Sequence, residues 1–157
     1  MVTIEIRSLG VREFFSIPES SALIQEYSQE CANEAFSSAP PSKEQYLRLE
    51  ELGLIKAAGA FVEGVLVGFV SVAFSFIPHF KDEPLAATES LFLSKEFRNG
   101  INGLKLLKWA KQTALSNGAP GLYVSAPAGS RLEELLARKA KKTNSVFFLE
   151  GVCKLPL

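Results

Sequence analysis

The stretch from Glu89 to Ala110, ESLFLSKEFRNGINGLKLLKWA, does most to restrict what this chain can fold into. An apolar run, Leu91-Phe92-Leu93, passes into a short polar turn carrying Gly100 and Gly103, and an amphipathic helix follows at once. Strand, turn and helix in direct succession are the unit from which α/β domains are built. Glycine lets the backbone come close to a ligand. The first N–H groups of a helix have no internal partner and carry the positive end of its dipole. Such a turn fits an anion, a pyrophosphate above all, and Arg98 adds a permanent charge at its lip. On spacing alone, a plain strand-to-helix turn that uses glycine for its φ angles accounts for the pattern equally well.

The remaining elements follow from periodicity. Val2, Ile4 and Ile6 alternate with Thr3, Glu5 and Arg7, which predicts a strand over Met1 to Leu9. Pro18-Glu19-Ser20 opens a helix with Ile24, Tyr27, Cys31 and Ala35 near one face, closed by Ser37-Ser38-Ala39-Pro40-Pro41. Ser42 and Gln45 have capping-box spacing and start a second short helix that runs to Gly53. Ile55–Val62 and Val65–Ile77 flank the hairpin turn Glu63-Gly64, and the second run reads as a strand buried on both faces. A loop from Pro78 to Pro84 leads to a strand over Ala87–Leu93. The helix from Ile101 to Asn117 sets Leu104, Leu107, Ala110 and Ala114 against Lys105, Lys108 and Gln112. Leu122–Ser125 is a short strand, and Ser130 with Glu133 caps a last helix. Ser145–Lys154 closes the chain as a strand. Helices between the later strands imply parallel pairing and the hairpin implies antiparallel pairing, so the expectation is an α/β chain with a central mixed sheet flanked by helices.

Size and composition bound the function. A length of 157 residues, 47% hydrophobic, suits one domain over 1–157 with a proper core. Seventeen basic and seventeen acidic residues balance, which gives no global pull toward nucleic acid or an anionic membrane. Cys31 and Cys153 match no metal-ligand spacing and read as buried core thiols. The start of the chain has no long apolar run of the secretory kind. The longest such run, Val65 to Ile77, is shorter than the ~20 residues that span a bilayer. A cytoplasmic protein without a metal site is the expectation.

The Glu89–Ala110 segment resembles the coenzyme A-binding motif of the GNAT superfamily of N-acetyltransferases. That motif reads Gln or Arg, two residues, Gly, one residue, then Gly or Ala, directly after a strand. Arg98 matches its first position and Gly103 its last; Leu91-Phe92-Leu93 resembles the strand, Lys95-Glu96-Phe97 the entry turn, and Leu106-Leu107 with Ala110 the following helix. The middle glycine is Ile101 here, with Gly100 one place earlier. The resemblance runs from about Lys56 to the C-terminus. Ser125-Ala-Pro-Ala-Gly-Ser130 and Phe147-Phe148 are similar in composition to small acetyltransferases of bacteriophages.

The resemblance implies a GNAT fold and acetyl-coenzyme A as co-substrate. It implies that Leu91, Phe92 and Leu93 offer the cofactor arm an open strand, through the main-chain groups of Leu91 and Leu93. It also implies that the N–H groups from Asn99 through Gly100, Ile101, Asn102 and Gly103 to Leu104 hold the phosphates beside Arg98. Ser130 would touch the pantetheine end; as a plain N-cap it is equally explained. The implied reaction is attack of a neutral amine, of a small molecule or a peptide, on the thioester with a general base removing the proton. Glu89, two residues before Leu91, is the candidate base, ahead of Glu50 and Glu51; an exposed strand carboxylate is its ordinary reading. Family members often use a Tyr on the last helix as acid. That helix here has none, which leaves Tyr123 on the adjacent strand as the substitute. His79, the one histidine, sits in a loop that would line the acceptor side. Phe74, Phe76, Phe80 and Phe92 are candidates for an acceptor pocket, or for core. A homodimer is implied by the pairing of many relatives. The missing Tyr and Ile101 keep a second reading in view: a non-catalytic GNAT-like domain that binds coenzyme A or a protein partner.

Overall fold

The computed structural model describes residues 2–31 and 40–149. Contacts gather the chain into two compact units, Met1–Ser125 and Ala126–Leu157. The first is built on four strands, β1 (Glu5–Leu9), β2 (Ile55–Val62), β3 (Val65–Phe76) and β4 (Pro84–Leu93). They lie in the order β1-β2-β3-β4 with every neighbouring pair antiparallel. Its helices are α1 (Val11–Ser16), α2 (Ser20–Glu30), α3 (Lys43–Glu51) and α4 (Asn102–Ser116); α5 (Arg131–Lys139) lies in the second unit. Among the described residues no helix is long and apolar enough to cross a membrane.

The sheet is sandwiched. On one face Val70, Val72, Phe74 and Ala86 pack on Leu106, Ala110 and Ala114 of α4. On the other, Phe61, Phe69 and Phe92 pack on Leu23 of α2, with Phe14 of α1 and Tyr27 of α2 alongside. β3 is buried from Leu66 to Val72 because it has neighbours on both edges and helices on both faces, as its unbroken apolar run foretold. Glu63 and Gly64 take φ of 49° and 84°, the paired positive angles of a two-residue hairpin.

Several expectations are corrected. The parallel pairing foreseen for the later strands, and with it the strand over Leu122–Ser125, shrinks to one bridge between Ala87 and Tyr123. The closing strand over Ser145–Lys154 is not formed in residues 145–149, where Val146 and Phe147 are exposed; residues 150–154 lie outside the described residues. α4 buries Asn102, Leu106, Ala110 and Ala114, a strict i+4 stripe, so its inner face is turned from the one drawn through Leu104 and Leu107. α2 buries Ser20 and Leu23, with Cys31 exposed at its end rather than in the core. Ala35, the closing Ser37-Ser38-Ala39 and Cys153 lie outside the described residues. α1 was not foreseen, since six residues are too few to show a period; its first N–H, at Val11, is held by Glu50 Oε1 at 2.8 Å.

In the second unit the sequence-predicted cap forms. Ser130 Oγ accepts from the Glu133 N–H at 3.2 Å, and Glu133 Oε2 accepts from the Gly129 N–H at 2.7 Å.

One position tests the packing of β3 against β4. A Cβ on Gly68 would lie 2.6 Å from the Phe92 carbonyl oxygen, a backbone atom that cannot swing aside. Gly68→Ala should therefore lower unfolding free energy by about 1–3 kcal/mol in a urea titration. An unchanged midpoint would contradict this register.

Candidate active site

β4 carries one residue too many for its partner. Ser71 faces Ser90 and Val72 faces Thr88, so Glu89 has no opposite number on β3. This β-bulge reverses the sides to which main-chain groups point. Before it, the Thr88 N–H donates away from β3 to Tyr123 O, and Ala86 O accepts from the Tyr123 N–H, both at 2.9 Å. After it, the Ser94 N–H donates toward β3, to Val67 O at 2.9 Å. By the two-residue period Ser90 and Phe92 face β3 as well, and Leu91 and Leu93 turn their N–H and C=O groups to the outer edge. Among the described residues no strand runs beside β4 past the bridge at Ala87. The outer edge at Leu91 is therefore an open strand of the kind that pairs with an extended ligand.

The bulge also aims the Glu89 carboxylate. The Tyr46 hydroxyl, from α3, donates to Oε1 at 2.7 Å, and the Ser71 hydroxyl, from β3, donates to Oε2 at 2.6 Å. A hydroxyl has a single proton. With that of Ser71 given to Glu89, the 2.7 Å contact between Ser71 Oγ and Ser90 Oγ runs from Ser90 to Ser71. Ser71 Oγ also accepts the Ser90 N–H at 3.1 Å, in place of a ladder bond broken by the bulge. Glu89 thus ends a relay Ser90–Ser71–Glu89, with Tyr46 on its other oxygen, and is itself exposed. Burial, then the charge of Glu89 and its hydrogen bond, pushes the Tyr46 phenol well above the usual tyrosine range. Tyr27, between Phe69 and Phe92 at ring distances of 5.6 and 6.2 Å, is pushed up to about 12, mainly by burial and then by Cys31 and Glu89. Both phenols stay protonated at any physiological pH.

Beyond β4 the chain makes a single 3-10 turn, Lys95–Phe97, and reaches α4 through Arg98 to Ile101. Gly100 takes φ +59°, the angle that requires glycine, one place ahead of the family position. Ile101 is the N-cap and is exposed. Asn102 braces the turn from within, donating to Phe97 O at 3.1 Å. No side chain caps α4, and among the described residues the N–H groups of Asn102, Gly103 and Leu104 have no hydrogen-bond partner. A Cβ on Gly103 would meet nothing within 4 Å, and no positive φ requires glycine there. Neither sterics nor backbone angle explains a residue that costs a helix about 1 kcal/mol relative to Ala; a ligand against the main chain would. These features fit a pyrophosphate.

Arg98 is placed differently from its sequence reading. It donates through Nε to Leu93 O, lies over the Phe92 ring at 5.2 Å, and pairs with Glu30 at 2.7 Å. Its charge is shared with an acidic cleft of about 520 Å³ formed by Glu26, Gln29, Glu30, Ser94, Lys95 and Glu96. That cleft, lined by three carboxylates, suits no phosphate.

The other candidates scatter. Tyr123 is fixed through its main chain beside Thr88, with its ring about half exposed. His79 is exposed and packs edge-on against Phe80 in the β3–β4 loop. Its ring contact is with Phe80, while the hydrogen bonds of Glu89 come from Tyr46 and Ser71. Glu50 is spent on Val11, and Glu51 is exposed at the end of α3. Phe74 and Phe92 are core; Phe76 and Phe80 are exposed. Ser130 belongs to the second unit, where it caps α5. Among the described residues no three His, Cys, Asp or Glu side chains gather as metal ligands. Tyr46 and Ser71 were missed. A serine inside the apolar run of β3 was the available hint for one; nothing in the α3 sequence marks the other.

No protein-family model matches the chain, and no curated protein matches it by sequence. Solved structures do match by fold. A ribosomal-protein-alanine N-acetyltransferase from Brucella melitensis biovar Abortus 2308 superposes with a TM-score of 0.68 at 19% identity, covering 94% of this chain and 98% of its own. An aminoglycoside acetyltransferase from an uncultured soil metagenomic sample, in complex with sisomicin, gives 0.68 at 19%, covering 98% and 97%. The aminoglycoside N-acetyltransferase AAC(6')-Iy, in complex with a bisubstrate analogue of coenzyme A and acetylneamine, gives 0.69 at 14%, covering 96% and 99%. The chain has the fold of the GNAT acetyltransferases.

The raised phenol of Tyr27 makes stability depend on alkali. Its neutral form is favoured by the fold, so the contribution is complete below the ordinary value of 10 and is lost as pH rises toward about 12. Unfolding midpoints in urea at about pH 9 and about pH 11 should differ less in Tyr27→Phe than in the wild type. Equal differences in the two proteins would contradict the placement of Tyr27.

Proposed function

We propose that this chain is an acetyltransferase that moves an acetyl group from acetyl-coenzyme A to a primary amine of a small molecule or peptide. The observation that carries the reading is the bulge at Glu89, which opens the strand edge at Leu91 and fixes a carboxylate next to that opening. The reading takes 1–157 as one domain, supported by alignment with solved acetyltransferases over 94% and 98% of the chain.

When bound, acetyl-coenzyme A supplies the acyl group as a thioester. The chain's residues have separable tasks around it. The main-chain groups of Leu91, and of Leu93 where Arg98 leaves them free, orient an extended arm along β4. The N–H groups at the start of α4, bare at Gly103, hold its phosphates. Arg98 serves them by exchanging Glu30 for phosphate, both of which it binds through charged hydrogen bonds. Glu89, exposed at the bulge, accepts the proton that the amine sheds, directly or through one water. Tyr123 is read as the acid that protonates the departing thiolate, a role supported by its main-chain bonds to β4 beside Thr88. A thiol with pKa ~8.5 also leaves without such help. His79 has no part in the proton transfer and borders the acceptor side at most. The reading includes a cytoplasmic protein that pairs as a homodimer and needs neither metal, nucleic acid nor membrane.

One observation favours the non-catalytic alternative: the charge of Arg98 is already satisfied by Glu30. Turnover separates the two. With acetyl-coenzyme A and sisomicin, or a peptide beginning with alanine, as probe amines, free thiol should be released by the wild type. Glu89→Gln should release it about 100-fold more slowly or worse, with acetyl-coenzyme A affinity unchanged. Unchanged turnover in Glu89→Gln removes Glu89 as the base; no thiol release by the wild type favours the alternative. Gly103→Leu should not lower the unfolding midpoint, since its Cβ meets no atom within 4 Å, and should weaken acetyl-coenzyme A binding about tenfold or more. Equal affinity in that variant would take α4 out of the cofactor site.

A further inference from the structure

We infer that Tyr46 is a positioning residue for Glu89, its phenol fixing the direction of the carboxylate that takes the substrate's proton. The inference rests on the reading of Glu89 as the base. A bulged residue lacks the cross-strand neighbour that normally confines a side chain. Glu89 is exposed, so without other restraint its carboxylate would rotate freely in solvent. Two donors from different elements remove that freedom, Tyr46 on Oε1 and Ser71 on Oε2, and each oxygen keeps a second lone pair for a proton.

α3 gives the independent reason to assign Tyr46 this task. The helix has no fully buried residue, so the core does not account for its place. Among the described residues its long-range hydrogen bonds are two, Glu50 to Val11 and Tyr46 to Glu89. The first ties α3 to α1 and the second ties α3 to the bulge. Phe15 of α1 packs on the Tyr46 ring at 6.1 Å, which steadies the phenol itself. The titratable groups facing the pair are Tyr27 and, behind it, Cys31, both from α2; β3 contributes only the Ser71 hydroxyl. None of these is charged at neutral pH, so Tyr46 enters the reaction as a neutral donor throughout. No proton leaves it.

A double-mutant cycle tests this with sisomicin as the probe amine. Tyr46→Phe keeps the ring and its packing. It should lower kcat about tenfold, the worth of one hydrogen bond to a charged group, and leave the KM for acetyl-coenzyme A unchanged. In the Glu89→Gln background the same substitution should change kcat no further, because Tyr46 acts only through Glu89. Wild-type kcat in Tyr46→Phe, or the same loss in both backgrounds, would overturn the inference while leaving Glu89 as the base. Unchanged turnover in Glu89→Gln would overturn both readings together. The pair is also read without turnover, from the Tyr46 ring 13Cζ signal assigned by its loss in Tyr46→Phe. The phenol should ionise at lower pH in Glu89→Gln than in the wild type, and identical titrations would overturn the inference.

Discussion

Everything particular about this molecule turns on a single unpaired residue in β4. Inserting Glu89 between the pairs Ser71–Ser90 and Val72–Thr88 costs the sheet one rung of its ladder. Ser71 repairs the loss by accepting the orphaned Ser90 N–H through its side chain. Three consequences follow from the one insertion. The main chain changes sides, so Leu91 and Leu93 face outward where an unbulged strand would turn them toward β3. Pairing with the following segment stops at Ala87 and Tyr123. The Glu89 side chain meets Tyr46 of α3, a residue 43 positions away in sequence. Pairing Glu89 regularly with Ser71, without the bulge, would shift every later side chain of β4 to the other face. Phe92 would then leave the aromatic group it forms with Phe69 and Tyr27.

The sequence carried the outline of this arrangement better than its centre. The hairpin at Glu63-Gly64, the buried run of β3, both serine caps and the strand-turn-helix after Glu89 could be read because each depends on neighbouring residues alone. The bulge could not, since it is a property of two strands in register, and period two in β4 looks the same with or without it. Tyr46 was invisible for the same reason: its partner lies on another element. The inner face of α4 was read one position off because alanine and leucine occur on both sides, and only the sheet decides between Leu106 and Leu107. Val146 and Phe147 are β-favouring residues, yet residues 145–149 form no strand. Propensity without a partner does not make a strand.

The turn at the start of α4 shows how a motif can be kept while its register moves. The family pattern calls for glycine where Ile101 stands. Here the left-handed angle falls on Gly100, and Ile101 becomes an exposed N-cap. The proposed amide cradle does not need that angle at Ile101, since it rests on the bare N–H groups at the start of α4 and on Gly103. Arg98 has a double attachment, to the end of β4 through Leu93 and to α2 through Glu30, so it couples the cradle to the strand edge and to the helix that carries Tyr27.

The central claim is that the open edge of β4 and the start of α4 together form a coenzyme A site. Calorimetric titration of the purified protein with acetyl-coenzyme A tests it most directly, because it needs no acceptor and no turnover. Binding in the micromolar range is expected, with one molecule bound per chain. No heat of binding at millimolar acetyl-coenzyme A would contradict it, and would mean that the exposed Ile101 and the Arg98–Glu30 pair close the cradle rather than frame it.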